Sequence, residues 1–207
     1  MQVAYLTLHT SPNRASDLAS AVSDLALGPG RQPIVTAGFV PQIGDSINRL
    51  YLLLHAPTAT EFDAQVSEIT ALSDVTQSDL HSLSPVQERA LTLLKADSAM
   101  YTNRWFHVRA DGAETFEADT LSAWDAFESG TESGVVGLWK KAEADDVVSY
   151  LLIARYADFA TWEQSRFWNR PAAEQSDDWV EKFRRRREKM VDSSVIATRC
   201  AMVTGTV

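Results

Sequence analysis

Residues Leu151 to Trp168 read LLIARYADFATWEQSRFW. An apolar run ends at Arg155 and Tyr156, and an aromatic segment with helical spacing follows. A plainer version, LLLHAPTATEFDAQV, occupies Leu52 to Val66, about a hundred residues earlier. In both, an apolar strand passes through a polar junction into a helix bearing an aromatic residue, Phe62 in the first and Trp162 in the second. Recurrence of the same element order at a fixed interval is the mark of an internal repeat.

Working outward, the first half predicts six elements. Val3 to His9 alternates as a strand, and Ser11-Pro12 supplies an N-cap and a first-turn proline. Leu18, Val22 and Leu25 then follow at helical spacing until Gly28-Pro29-Gly30 stops the helix. Ile34 to Ile43 and Leu50 to His55 form a hairpin about Gly44-Asp45-Ser46. Thr60 caps a helix with the stripe Phe62, Val66 and Ile69; Thr76 to Pro85 reads as a polar loop, and Arg89 to Lys95 as a closing strand.

The second half repeats the order: a strand over Trp105 to Arg109, a helix lined by Phe116, Thr120, Trp124 and Phe127, and a hairpin of Val135 to Lys141 with Val147 to Tyr156 across Ala142 to Asp146. A helix beginning at Thr161 and a last strand over Ser194 to Val203 complete it. Each βαββαβ unit is ferredoxin-like, with helices on one sheet face and the other face needing cover. The expected fold is therefore α+β: tandem ferredoxin-like βαββαβ repeats, residues 1–98 and 99–207, forming a pseudo-dimeric α+β barrel.

The halves differ. All six tryptophans (Trp105, Trp124, Trp139, Trp162, Trp168 and Trp179) lie in the second, as does an insertion at residues 169–191. Ser176, Asp177 and Asp178 open that insertion as a helix and Arg184 to Lys189 close it, matching the helix dipole. Trp179, Val180, Phe183, Met190 and Val191 form its apolar stripe. The run Arg184 to Arg187 reads mainly as a solvated helix face; against that, the stripe brings Arg186 or Arg187 close to it, and the alternative is one guanidinium half-buried against an acid or an anionic ligand.

Composition bounds the function. A net charge of −9 argues against a nucleic-acid partner. The lone Cys200 has no internal partner for a disulfide, which fits a reducing compartment. The longest apolar run is too short to span a bilayer, and the first residues carry no secretory pattern, so no membrane partner and a cytoplasmic location are expected. His9, His55, His81 and His107 show no metal spacing, and no phosphate loop, dinucleotide fingerprint, nucleophile elbow or CxxC occurs. Neither a metal nor a cofactor is expected.

The segment ARYADFATWEQSRFW (Ala154 to Trp168), with FRRRREKM (Phe183 to Met190) and Thr198-Arg199 in the last strand, resembles the NIPSNAP family. More broadly, the chain is similar to the dimeric α+β barrel superfamily, which includes the antibiotic-biosynthesis monooxygenases. The resemblance is best over Trp105 to Val203. It implies the barrel fold and the theme of cofactor-free oxidation of electron-rich aromatics; it carries no catalytic residue onto this chain.

Candidate residues follow from strand geometry. Trp105, His107 and Arg109 share one face, with Phe106 and Val108 on the other. If the apolar pair packs on the helices, the first three line the interior, matched in the first half by Tyr5 and His9. His107 and Arg109 are the candidate catalytic pair, with His107 suited to proton transfer near neutral pH; the competing reading is a filled barrel in which these groups satisfy one another. Arg155 at a strand end can hold a carboxylate or enolate, or pair with Asp158. Trp139 has space beside Gly137 for itself or a ligand ring. Trp162 shares a helix face with Arg166 and reads mainly as core, whereas Trp168, beside Asn169-Arg170-Pro171, reads as a pocket wall.

The function expected from these residues is binding of an aromatic or polyketide-like small molecule, with cofactor-independent oxygenase or isomerase chemistry. The alternatives are a non-catalytic carrier or interaction protein and, third, a haem-binding barrel. A homodimer is compatible with all three.

Overall fold

A computed structural model describes residues 1–141, 146–169 and 178–204. In chain order the elements are β1 (Gln2–Thr10), α1 (Ala15–Ala26), β2 (Val35–Ile43), β3 (Arg49–Ala56), α2 (Ala59–Thr70), β4 (Val75–Glu88), β5 (Met100–Arg109), α3 (Ala113–Thr131), β6 (Ser133–Lys141), β7 (Val147–Tyr156), α4 (Phe159–Gln164), α5 (Asp178–Lys189) and β8 (Met190–Val203). The strands hydrogen-bond in the order β1-β3-β2-β8-β5-β7-β6-β4 and close into an α+β barrel. The chain divides into two compact units, one of residues 1–85, 94–97 and 196–207, the other of residues 86–93 and 98–195.

In the first unit β1 pairs with β3 in register from Gln2↔Ala56 to His9↔Arg49. Its even-numbered residues Leu6 and Leu8 join Leu18 and Val22 of α1, Leu52 and Leu54 of β3, and Phe62 and Ile69 of α2 in one core. The Thr58 side chain caps α2, accepting from the Glu61 amide at 3.3 Å, so the helix starts two residues before the expected Thr60 cap. Ser11-Pro12 forms a turn instead of the helix start, and α1 begins at Ala15. The end of β8 pairs with β2, Ala37↔Val203 through Ile43↔Ala197.

The expected loop at Thr76 to Pro85 is instead the greater part of β4. Its residues are mostly exposed and polar, which conceals the alternation, and Leu83 is its one buried position. Main-chain pairing to β1, from Val3↔Leu83 to Thr10↔Val75, holds it in place of side-chain burial. The expected strand over Arg89 to Lys95 contains a 3-10 turn, Leu91–Leu93, whose last carbonyl accepts from the Tyr101 hydroxyl at 2.8 Å.

In the second unit β5, β7 and β6 are adjacent antiparallel strands. β5 starts at Met100, five residues before the expected Trp105. Phe106 meets Phe116 of α3 edge-on at 5.2 Å, and Phe116 meets Tyr150 of β7 at 4.9 Å. Phe127, Trp179 and Phe183 form a second aromatic cluster joining α3 to α5, with centroids 5.4–5.5 Å apart. α5 begins at Asp178; Ser176, Asp177 and most of the β6–β7 turn lie outside the described residues. No helix among the described residues is long and apolar enough to cross a membrane.

Candidate functional site

Period-two geometry sorts β5 and β7 into two faces. Cross-strand pairs Thr102↔Ala154, Arg104↔Leu152 and Phe106↔Tyr150 share the face on which α3 and α5 pack. Phe106 and Val108 are buried on this side, as their apolar character requires. The polar residues Thr102 and Arg104 lie on it as well, so this layer cannot be a filled apolar core.

The third side of the space comes from α5. Trp179, Val180, Phe183 and Arg186 are its buried residues, a stripe at helical spacing that carries a guanidinium inward at its last position. The fourth side is α4 and the turn after it. Asp158 caps α4 by accepting from the Thr161 amide at 2.7 Å and hydroxyl at 2.9 Å. That cap aims Trp162 and Arg166 inward, and the guanidinium lies 4.1 Å from the indole centroid. Phe167 and Trp168 follow in a 3-10 turn, edge-on at 5.1 Å.

These elements line a partly open cavity of about 270 Å³, just under the range of roughly 300–1,000 Å³ usual for ligand sites. Its walls are aromatic: Phe106, Trp124, Trp162, Phe167, Trp168 and Phe183 all reach it. Its polar groups are Thr102, Tyr156, Ser165, Ser193 and four arginines, Arg104, Arg166, Arg186 and Arg187. No Asp or Glu is among the described residues that line it.

Arg186 is the extreme member, with 6% of its surface exposed. Its guanidinium stacks 3.9 Å from the Phe183 ring centroid and 4.9 Å from that of Phe106, and Nη1 reaches Thr120 Oγ1 only at 3.5 Å. Its buried Nε has no hydrogen-bond partner. Burial, then the neighbouring Arg104 charge, push its pKa down to about 9. Burial also lowers the pKa of Arg104, with Arg166 and Arg187 contributing. Tyr156, hydrogen-bonded to Ser165 and Thr102, is held protonated by burial, which raises its pKa against the pull of Arg104 and Arg186. Arg166 pairs with Glu163 at 3.3 Å, and Arg187 lies 5.7 Å from the Trp168 ring.

Of the residues singled out in the sequence, Trp168 lines the cavity as the expected wall, and Trp162, expected mainly in the core, lines it too. The expected Trp162/Arg166 stack is present, and Arg186 is the inward guanidinium that the α5 stripe requires. Trp105, His107 and Arg155 share the opposite face of the sheet and do not line the cavity. His107 Nδ1 lies 2.9 Å from Ser149 Oγ, and Arg109 donates to the Glu188 carbonyl at 2.8 Å. Trp139 folds over Gly137, where a Cβ would meet its ring at 2.7 Å, and donates to Glu88 at 2.7 Å. In the first unit, Tyr5 stacks on Tyr51 at 5.7 Å and His9 sits 3.3 Å from Asp79. Sequence reasoning placed Tyr156 at the strand end without a site role and missed Arg104 and Thr102, which fell outside the strand as drawn, although continuing its alternation backwards from Phe106 reaches both.

No protein-family model matches the sequence, and no curated protein matches it. Solved structures do. A candidate monooxygenase from Lactobacillus acidophilus NCFM superposes with a TM-score of 0.62 over 100% of this chain and 97% of its own, at 11% identity. Another, from Fusobacterium nucleatum subsp. nucleatum ATCC 25586, gives 0.65 over 100% and 95%, at 8% identity. An anthrone oxidase-like protein gives 0.58 over 99% and 94%, at 11% identity. The likeness is one of fold.

Proposed function

We propose that the second unit binds a small aromatic molecule in the cavity between its sheet and helices α3, α4 and α5. The observation that carries this reading is the composition of the walls: aromatic rings on several sides of a partly open cavity, with hydroxyl and guanidinium groups converging on it. Apolar walls with a few placed polar groups are the ordinary design of a ligand site. The site residues are accordingly Arg104, Tyr156, Trp162, Trp168 and Arg186. The NIPSNAP-like segment Ala154 to Trp168 and the run Phe183 to Met190 supply most of them.

Haem fits this cavity poorly. None of the four histidines lines it, and Met190 and the protonated Tyr156 are its nearest approach to an axial ligand set.

The test is a titration with the neutral bicyclic probe 2-naphthamide, followed by tryptophan emission. Ala154 is buried and lines the cavity, so Ala154→Phe fills it. Wild-type protein should bind and the folded variant should not; equal binding by both rejects the site, as does failure of the wild type to bind either this probe or its carboxylate counterpart 2-naphthoate.

Catalysis is a second reading, favoured by the cationic lining. Guanidiniums beside a bound phenol or enol stabilise its electron-rich anion, the form that oxidation by dioxygen without a cofactor requires. Several proteins of this fold carry monooxygenase or oxidase names, so oxygen uptake with an anthrone is the direct assay. Uptake abolished by Tyr156→Phe or Arg104→Gln supports an enzyme; binding without uptake supports a carrier.

A further inference from the structure

We infer that the ligand of this cavity carries an oxyanion, a carboxylate or an ionised phenol or enol, seated between Arg104 and Arg186. The inference rests on the cavity being an aromatic site and adds the charge of its occupant.

Charge balance is the reason. Four guanidiniums reach the cavity and no carboxylate lines it among the described residues. Two of them are accounted for, Arg166 by Glu163 and Arg187 by solvent, to which it is exposed. The other two are not. Arg104 lies 5.8 Å from the Phe106 ring, and Arg186 has that ring, Phe183 and a marginal contact to Thr120. Asp119, the acid closest to Arg186 electrostatically, is engaged by Arg185 through Nε and Nη2.

A buried charge without a counter-ion is unfavourable, and two that repel one another are more so. Aromatic faces offset part of the desolvation but supply no lone pairs for the N–H donors. The buried Nε of Arg186 is such an unsatisfied donor. An oxyanion between Arg104 and Arg186 would accept from both, relieve their mutual repulsion and leave its ring against Trp162, Phe167 or Trp168. The protonated Tyr156 hydroxyl, electrostatically coupled to both guanidiniums, adds a donor.

The deciding comparison is 2-naphthoate against 2-naphthamide, which share shape and differ in charge. Wild-type protein at pH 7.5 should bind the carboxylate about 10- to 100-fold more tightly, the range for charge-assisted hydrogen bonds. Arg186→Gln and Arg104→Gln should each weaken 2-naphthoate more than 2-naphthamide and so bring that ratio toward one. Titrating 2-naphthol separates the two oxyanion sources: its anion absorbance should develop at lower pH when bound to wild-type protein than when bound to Arg186→Gln. A naphthol that stays neutral in the site restricts the ligand to a carboxylate. Equal affinity for 2-naphthoate and 2-naphthamide overturns the inference and leaves the aromatic site standing; binding of neither overturns both. If Arg186→Gln does not fold, the wild-type ratio and Arg104→Gln decide the matter.

Discussion

Replacing Arg186 with methionine should stabilise the ligand-free protein. The residue is buried among Phe183, Phe106 and Phe116, and Met is flexible enough to occupy that volume. Burial lowers the Arg186 pKa from the ordinary guanidinium value to about 9. At roughly 1.36 kcal/mol per pH unit, carrying that charge at neutral pH costs about 5 kcal/mol more in the folded chain than in the unfolded one. Stacking on Phe183 and Phe106 returns about 1–2 kcal/mol, and the imperfect fit of Met removes about another 1 kcal/mol. A gain of about 2 kcal/mol remains, in line with replacements of buried ionic groups by apolar ones. For a chain of this length it raises Tm by roughly 4–8 °C. Urea unfolding followed by tryptophan emission checks the same quantity, with the midpoint rising at constant slope. A midpoint that falls would refute the reasoning, because the guanidinium would then be a net stabilising member of a satisfied core.

The stability difference between wild type and Arg186→Met should narrow above pH 9. The unfolded chain keeps the Arg186 proton to far higher pH than the folded chain, so in that window the unfolded state binds more protons and wild-type stability rises with pH; parallel pH profiles of the two proteins would contradict this. By the same titration, affinity for 2-naphthoate should decline as pH passes about 9. His107→Ala and Arg109→Ala, on the opposite sheet face and at the strand end, should leave 2-naphthoate affinity within about twofold; a larger loss would return the site to those residues. Cys200 is buried, and burial pushes its thiol up to about 12, so native protein should resist a thiol reagent that modifies it rapidly in urea.

Much of the fold was legible because its elements carry their own periodicity. Leu6 and Leu8 in β1, the α1 stripe and the β2–β3 hairpin signal at Gly44-Asp45-Ser46 all lie where pattern places them. β4 was hidden because a strand held by main-chain pairing need not alternate in side-chain polarity. The site was legible in part. The α5 stripe narrows the inward guanidinium to Arg186 or Arg187, three and four positions after Phe183, and the fold selects Arg186. Arg104 was obscured by a boundary error: a strand begun at Trp105 assigns Arg104 to a loop, and the Trp105/His107/Arg109 face lies on the side of the sheet away from the cavity. Trp162 illustrates a different limit. Its counterpart Phe62 is buried in the first unit, so matching residue class across the repeat predicted core where the second unit instead opens a cavity.

A cavity lined by four guanidiniums, with no carboxylate among its described residues, has a consequence for the lifetime of the chain. A bound anion would add stability in proportion to the logarithm of its concentration over its dissociation constant. Proteases remove the unfolded fraction, so a shift of 1–2 kcal/mol changes steady-state abundance several-fold. Cells supplied with the ligand would accumulate this protein and starved cells would clear it, with no change in transcription.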